Sequence, residues 1–421
     1  MSDAPRPSRR RANLVAVSVL VVALVGVLAW NRVSGDDTPA RPSASATPSD
    51  GDSARERELA AQVRGLARAW DARDAARFDA AAGTSTRASA FADQTFAALT
   101  ALDVRAVDLR LVATEPGDSA DVVDAAVSVS WTPSARTGPA RATDEAEVTF
   151  RFRRDDDRYD LESAAVGDGP LPLWLAGPVR VERVDDAEVV AVGASPTITG
   201  RVRTLVGDGV RTVTSTLPRA SRDPVVVVPT STAVAASLLG EETTSLSQLA
   251  AVTTTPDGRA STATGSVVVL NPEVFGRLDD RDARLVVTHE LTHALSDVSA
   301  DGVPLWVVEG FADWVALRDD DRSPREVAAQ LLARVRSQGP PSELPTADEF
   351  SASADGLGAT YEAAWLVFVV LQDVGDADDV VAFYEQVRDG ADVDDALQRR
   401  FGIDQAQLLT RWQSYLRRQA G

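Results

Sequence analysis

Cysteine is absent from this chain of 421 residues. Its absence excludes disulfide bonds, thiolate zinc sites, iron–sulfur clusters and cysteine nucleophiles. Basic residues are also in deficit, with 43 against 63 acidic ones and a formal net charge of −20. Because binding to phosphates requires a basic surface, this balance argues against a nucleic-acid partner. Histidine occurs only twice, so any chemistry that requires histidine depends on those two residues.

The N-terminal segment has the pattern of a membrane anchor. A basic stretch, 1–13, precedes an uncharged apolar run, 14–30, of about one bilayer thickness, and its arginines favour a cytoplasmic N-terminus. We therefore predict a single transmembrane signal anchor in the lipid bilayer of the cell membrane, with the rest of the chain extracytoplasmic. A cleaved signal peptide is the alternative, although bulky Trp30 stands where a small-residue cleavage site would be expected.

The next segment, 31–54, is rich in serine, threonine, proline, aspartate and glycine. Such a composition buries too little apolar surface to offset the conformational entropy that ordering would cost. We predict a disordered linker that holds the folded part of the chain away from the membrane.

A first folded domain is predicted over 55–168. Apolar residues at helical spacing predict an amphipathic helix, and a second helix is predicted near 87–101. Four runs of alternating apolar residues then predict an antiparallel four-stranded sheet, around 107–111, 127–131, 146–152 and 159–161. Two helices followed by a curved sheet resemble the NTF2-like α+β cone fold. Since this region contains no histidine, we interpret it as a spacer or binding module.

A second domain is predicted over 175–421, in which strands come first and helices later, an α+β arrangement. Short buried strands are predicted at 224–229, 265–271 and near 249–254. A helix is predicted at 196–216, and six more are predicted in the C-terminal half, near 281–298, 304–319, 323–337, 358–374, 377–389 and 404–419.

Both histidines of the chain lie in the segment His289-Glu290-Leu291-Thr292-His293. Residues four apart share one face of a helix, so both imidazoles can reach a single metal ion. Glu290 flanks that ion and can take a proton from a water activated there. The alternative, two buried histidines without a metal, would leave several buried polar groups in need of partners.

A second predicted helix supplies the remaining polar groups of this site. Glu309 is the best candidate for a third ligand, and Asp313 lies on the same face one turn later. A carboxylate at that position can accept the free ring N–H of a ligating histidine. A role for Asp313 at the solvent-facing side of the helix remains the alternative.

The motif HELTH, followed by the glutamate of PLWVVEGFADW, resembles the gluzincin metallopeptidases, in particular the bacterial peptidase MA-like group. The resemblance implies a zincin-like α+β fold and one Zn²⁺ per chain held by His289, His293 and Glu309. It also implies that Glu290 is the general base and acid, and that Asp313 supports the first histidine.

No further histidine is present to stabilise the oxyanion, as one does in several gluzincins. Tyr361, which opens a predicted helix downstream of Glu309, is a candidate donor of a hydrogen bond to the developing negative charge. The alternative is that Tyr361 is an ordinary packing residue of that helix.

Together these observations predict a membrane-anchored, extracytoplasmic zinc metallopeptidase that hydrolyses a peptide or protein substrate. We expect the substrate to lie along a strand edge above the HELTH helix, for which 264–270 is the nearest candidate in sequence. Two alternatives remain: a catalytically silent zinc-binding envelope protein that acts as a binding or scaffold module, and an adaptor whose activity lies in 55–168. The sequence does not predict the oligomeric state or the cleavage preference.

Overall fold

The computed structural model describes residues 50–134, 143–167, 169–220, 223–255, 266–296, 302–351 and 356–421. They form a mixed α+β structure whose C-terminal half is helical, as predicted. The predicted anchor at 14–30 lies outside the described residues. Within them, one helix, Leu357–Val374, is long and apolar enough to cross a membrane, but 72 % of it is buried inside the protein.

The N-terminal unit packs three helices against one sheet. Its helices are α1 (Asp50–Asp71), α2 (Ala75–Ala82) and α3 (Thr86–Ala101), and its strands are β1 (Ala106–Pro116), β2 (Val122–Thr132), β3 (Asp144–Asp155) and β4 (Arg158–Val166). The strands pair in the antiparallel order β1-β2-β3-β4, which confirms the predicted meander. The prediction omitted α2. It also placed the end of the linker at residue 54, whereas α1 already begins at Asp50. The NTF2-like assignment stays a prediction.

The core of this unit follows directly from the two periodicities in its sequence. Every second residue of β2 from Val123 to Trp131 is buried, because successive side chains of a strand point to opposite faces. The apolar stripe of α1 covers that face: Leu59, Val63 and Leu66 are buried within the same hydrophobic cluster. The sheet and helices thus enclose a single apolar core.

The second unit is built on a five-stranded sheet, with strands β5 (Val179–Val184), β6 (Ala187–Val192), β7 (Val225–Pro229), β8 (Ala251–Thr254) and β9 (Val267–Leu270). Their order is β5-β6-β7-β9-β8. The three inner strands are parallel, and the outer strands β5 and β8 are antiparallel to their neighbours. Because β9 is paired on both sides, the expectation that 264–270 offers a strand edge to the substrate is wrong. The edge strand next to it is β8.

Eleven helices follow or connect these strands in the described part of the second unit: α4 (Pro196–Thr216), α5 (Thr232–Leu239), α6 (Pro272–Phe275), α7 (Asp280–Ser296), α8 (Leu305–Leu317), α9 (Pro324–Val327), α10 (Ala329–Gln338), α11 (Leu357–Val374), α12 (Ala377–Arg388), α13 (Val393–Phe401) and α14 (Gln405–Ala420). The predicted helices agree with these bounds within about two residues, except that 323–337 is interrupted at Ala328. The prediction omitted the helices α5, α6 and α13 and the strands β5 and β6.

Two glycines allow the central helices to pack closely. A Cβ atom on Gly209 of α4 would lie 2.8 Å from Leu291 Cδ1 of α7, and one on Gly310 of α8 would lie 2.6 Å from the carbonyl oxygen of Ala364 in α11. Both distances are too short for a real side chain. Glycine therefore occupies these helix interiors, despite its low helix propensity, because neighbouring helices approach there.

Candidate active site

Helix α7 carries the HELTH segment through the middle of the second unit. Asp280 and Asp282 lie in its first turn, where negative charge is favoured by the helix dipole. From Leu285 to Ser296 every residue is buried, so this helix is covered on all sides. His289, Glu290 and His293 are consequently removed from water, and their polar atoms require partners inside the protein.

Three donor atoms from α7 and α8 converge on one point. The Nε2 atoms of His289 and His293 lie 3.0 Å apart. The Oε2 atom of Glu309, from α8, lies 3.2 Å from the first and 3.5 Å from the second. These three residues form the group in the described part of the chain that could hold a metal ion. The structure therefore brings together the three predicted ligands.

The triangle of donor atoms has the dimensions of a tetrahedral zinc site. Ligands bound at ~2.0–2.1 Å in tetrahedral geometry lie about 3.3 Å from one another, and the three observed separations bracket that value. Glu309 Oε2 is buried without a hydrogen-bond partner among the described residues. A buried carboxylate oxygen in that state is expected where a cation completes the site. The residues present thus fit zinc.

Asp313 orients the first histidine. Its Oδ1 atom lies 2.7 Å from His289 Nδ1, so Nδ1–H donates to the carboxylate and Nε2 remains available to a metal. The two carboxylates of α8 lie four residues apart and therefore flank the same imidazole from its two nitrogens. The structure places Asp313 where the family resemblance implied.

The buried charges of the site act strongly on one another. Burial lowers the pKa of His289, but the nearby carboxylates of Asp313 and Glu309 outweigh it and raise that pKa well above its usual value. Burial raises the pKa of Glu309, but the two histidines outweigh it and lower that pKa. The site therefore favours a positive charge between its carboxylates, which either a proton or a metal cation can supply.

Glu290 has a different environment from Glu309. The hydroxyl of Thr253, on β8, donates to Glu290 Oε2 at 2.5 Å, and Oε1 is buried without a hydrogen-bond partner among the described residues. Burial raises the pKa of Glu290, which the positive character of the histidines only partly offsets. Sequence analysis did not identify Thr253, because nothing in the sequence shows which strand lies beside α7.

Tyr361 lies near the first histidine. The centroid of its ring is 6.2 Å from that of His289, and the residue is buried. Burial and then the carboxylates of Glu309, Asp313 and Glu290 raise the pKa of its hydroxyl well above 10. The phenol therefore stays protonated and can act as a hydrogen-bond donor.

Ion pairs and hydrogen bonds brace both ends of α7. At the start, Arg281 makes two hydrogen bonds to the carboxylate of Asp320, which follows α8, and Arg322 bonds the same carboxylate. At the end, the hydroxyl of Tyr384 donates to Ser296 Oγ at 3.0 Å. The contacts at the start link α7 to the segment after α8, which carries the third ligand, and the contact at the end links α7 to α12.

A separate cleft lies between the two units. It is lined by Trp131 and Trp174 together with Val269 and Thr254 of the second sheet. Because Thr253 contacts Glu290 whereas its neighbour Thr254 lines the cleft, the cleft opens on the sheet face opposite α7. It is therefore distinct from the metal site.

Residues 280–418 match the family described as the Peptidase MA superfamily. The match begins at the start of α7 and ends within α14, so it includes all of the residues that converge on the metal site. It confirms the resemblance to the peptidase MA-like group that the HELTH motif predicts.

Solved structures similar to the chain include the M1 zinc metallopeptidase of Deinococcus radiodurans and a mutant of that enzyme with a Tyr-Ser-Ala substrate bound. Both align with a TM-score of 0.36 and 13 % sequence identity, covering 73 % of this chain and 60 % of theirs. The chain thus spans about three fifths of the length of those enzymes. No curated protein matches the sequence.

Proposed function

We propose that this protein is a zinc-dependent peptidase, anchored in the cell membrane, that hydrolyses peptide bonds on the extracytoplasmic side. One observation carries this proposal. Three buried donor atoms form a zinc-sized triangle, and beside it a fourth buried group, Glu290, keeps one carboxylate oxygen without a partner among the described residues. A structural zinc site would need only a closed set of ligands, whereas the additional carboxylate is what hydrolysis requires.

His289, His293 and Glu309 would hold the metal, and Asp313 would keep His289 in the tautomer that leaves Nε2 free. When bound, zinc supplies Lewis acidity to the attacking water and to the peptide carbonyl. The protein supplies the proton transfers. Glu290 Oε1 takes a proton from the attacking water and then delivers it to the amine nitrogen that leaves.

The substrate would extend along the outer edge of β8. This strand pairs with β9 on one side, and no described strand pairs with its other edge. The hydroxyl of Thr253, on this strand, donates to Glu290 Oε2, which supports a peptide bound close to the base. A peptide that adds as a further strand would therefore pass the base with its backbone held by hydrogen bonds. Tyr361 would donate to the negative charge that develops on the carbonyl oxygen.

The location of the enzyme follows from the N-terminal sequence. Residues 14–30 would span the bilayer, with 31–49 as the tether and the N-terminal unit as a spacer or binding module. A tag placed after residue 421 tests the orientation: protease added outside intact spheroplasts should remove the tag. Protection of the tag until the membrane is opened would contradict this orientation.

Cleavage of a library of quenched fluorescent peptides by the full-length chain tests the activity. We expect cleavage by the zinc-loaded protein, loss of cleavage after a chelator removes the metal, and recovery when zinc is added back. A fully loaded protein that cleaves no peptide of the library would contradict the proposed activity and favour a zinc-binding envelope protein.

A further inference from the structure

We propose that Thr253 is a positioning residue for Glu290, which holds one oxygen of the carboxylate so that the other faces the metal site. This inference rests on the proposed function, because it assigns Glu290 the role of general base. Thr253 itself would not touch the substrate through its hydroxyl or bind the metal.

The hydroxyl of Thr253 has one proton and two acceptors within reach. It lies 2.5 Å from Glu290 Oε2 and 3.3 Å from the main-chain oxygen of the same residue. The shorter distance assigns the proton to the carboxylate. A hydrogen bond to a charged acceptor is also the stronger of the two. Oε2 is therefore satisfied, and the partnerless oxygen is Oε1.

The position of this hydroxyl is set by the sheet and not by α7. Thr253 lies opposite Val268 of β9, a buried central strand, so the pairing register fixes its backbone. A β-branched side chain has few accessible rotamers, and Thr253 is 6 % exposed. The hydroxyl is thus a rigid point outside the helix that carries the glutamate.

A hydroxyl held in this way can restrain the orientation of the Glu290 carboxylate. The last torsion of a glutamate side chain is soft, so the carboxylate of Glu290 can turn unless one oxygen is held. With Oε2 bonded to β8, rotation would break a buried hydrogen bond that no other described side chain replaces. In this proposal the held carboxylate keeps its free oxygen, Oε1, available to collect the proton.

The same contact couples the base to the substrate strand. Thr253 belongs to β8, whose outer edge is where the peptide would add, so its side chain links the peptide-binding backbone with Glu290. Sequence features alone do not predict this link, since 36 residues separate the two positions in the chain.

The test compares three variants of the zinc-loaded full-length chain. Thr253→Val removes the hydroxyl and keeps the shape, Thr253→Ser keeps the hydroxyl, and Thr199→Val removes a buried hydroxyl that bonds only its own helix end. We expect Thr253→Val to lower kcat about 10- to 100-fold with little change in KM or zinc content. Thr253→Ser should recover most of that loss, and Thr199→Val should leave kcat unchanged.

A crystal structure of Thr253→Val supplies a readout that does not depend on activity. We expect the carboxylate of Glu290 to turn or to become disordered while His289, His293 and Glu309 keep their places. Two results would overturn the positioning role and leave the peptidase activity intact. One is a carboxylate that does not move in the variant, and the other is a Thr253→Val variant whose kcat equals that of a wild type that cleaves peptides. A loaded wild type that cleaves nothing would overturn the proposed function instead, and the crystal structure would still decide whether Thr253 holds Glu290.

Discussion

Glu290 and Glu309 are buried beside the same two histidines, yet their pKa values shift in opposite directions. Glu309 lies between both Nε2 atoms, and their charge lowers its pKa despite burial. Glu290 is held by a neutral hydroxyl, and burial raises its pKa. The first is thus suited to remain charged and bind a cation, and the second to accept a proton.

Replacement of Glu290 by glutamine should separate metal binding from hydrolysis. Glutamine keeps the shape of the side chain but cannot accept the proton of the attacking water, so we expect Glu290→Gln to lower kcat by about 10²- to 10⁴-fold. Zinc content should stay the same, because Glu290 is not one of the three convergent donors. Peptide cleavage and metal analysis of the same preparation measure both quantities. Undiminished cleavage by this variant would refute the assignment of the base.

Removal of the charge on Asp313 should weaken zinc binding without abolishing it. Asparagine at 313 would keep a hydrogen bond to His289 Nδ1 but not the negative charge, and we expect a loss of about 10- to 100-fold in zinc affinity. Competition with a chromophoric chelator measures the affinity. Asp319→Asn is the control, since Asp319 is exposed at the end of the same helix region. Equal affinities in the two variants would show that Asp313 does not act on the metal.

At the scale of helices and strands, the sequence predicts the elements with strong periodicity and fails where tertiary contacts decide. Strands β7 and β9 are continuous apolar runs, and helix α7 has apolar residues on both sides of its HELTH motif, so all three are predicted within about two residues of their observed bounds. The prediction omits helix α13 despite the helical spacing of its buried residues Val393, Ala396 and Leu397, because nine residues are too few for the pattern to stand out. The lateral order of the second sheet, which makes β8 the edge, depends on pairing between distant segments that no local pattern records.

The ligands were predictable because they share helical faces, whereas the groups that support them were not. His289 and His293 lie four residues apart, as do Glu309 and Asp313, so the spacing alone places each pair on one face. Thr253, which bonds Glu290, and Asp320, which pairs with Arg281, come from other parts of the chain. Their proximity to α7 is a result of packing.

The close contact between α8 and α11 gives a prediction at this scale. Gly310→Ala would place a methyl group against the backbone of Ala364, which would push apart the helix that carries Glu309 and its neighbour. We expect a loss of about 1–3 kcal/mol in the free energy of unfolding, measured by urea denaturation. Gly200→Ala in α4, where a Cβ meets nothing within 4 Å, is the control and should not destabilise. Equal stabilities of the two variants would disprove the tight contact.

At the scale of the whole molecule, ion pairs of Asp320 with Arg281 and Arg322 link the start of helix α7 to the segment that follows helix α8. Burial opposes the charged form of Asp320, but hydrogen bonds from Arg322 and Arg281 prevail and lower its pKa to about 2. A carboxyl whose folded pKa lies below its unfolded value stabilises the fold above pH ~4, and this contribution is lost as the pH falls towards 2.

Asp320→Asn should therefore lower the free energy of unfolding at pH 7 by about 2 kcal/mol. The difference between wild type and variant should shrink as the pH falls from 4 to 2, because the wild-type carboxyl then becomes protonated as well. Urea denaturation at a series of pH values measures the difference. A difference that stays constant down to pH 2 would contradict the role of the charge.

The proposed function of the molecule depends on one metal ion held by His289, His293 and Glu309, so its zinc content is the measurement to make first. We would measure zinc per chain in the purified full-length protein, beside a His293→Ala variant that lacks one of the three donors. We expect about one zinc in the wild type and little in the variant. A wild type that is empty and takes up no zinc when it is supplied, or a variant that holds as much as the wild type, would contradict this expectation.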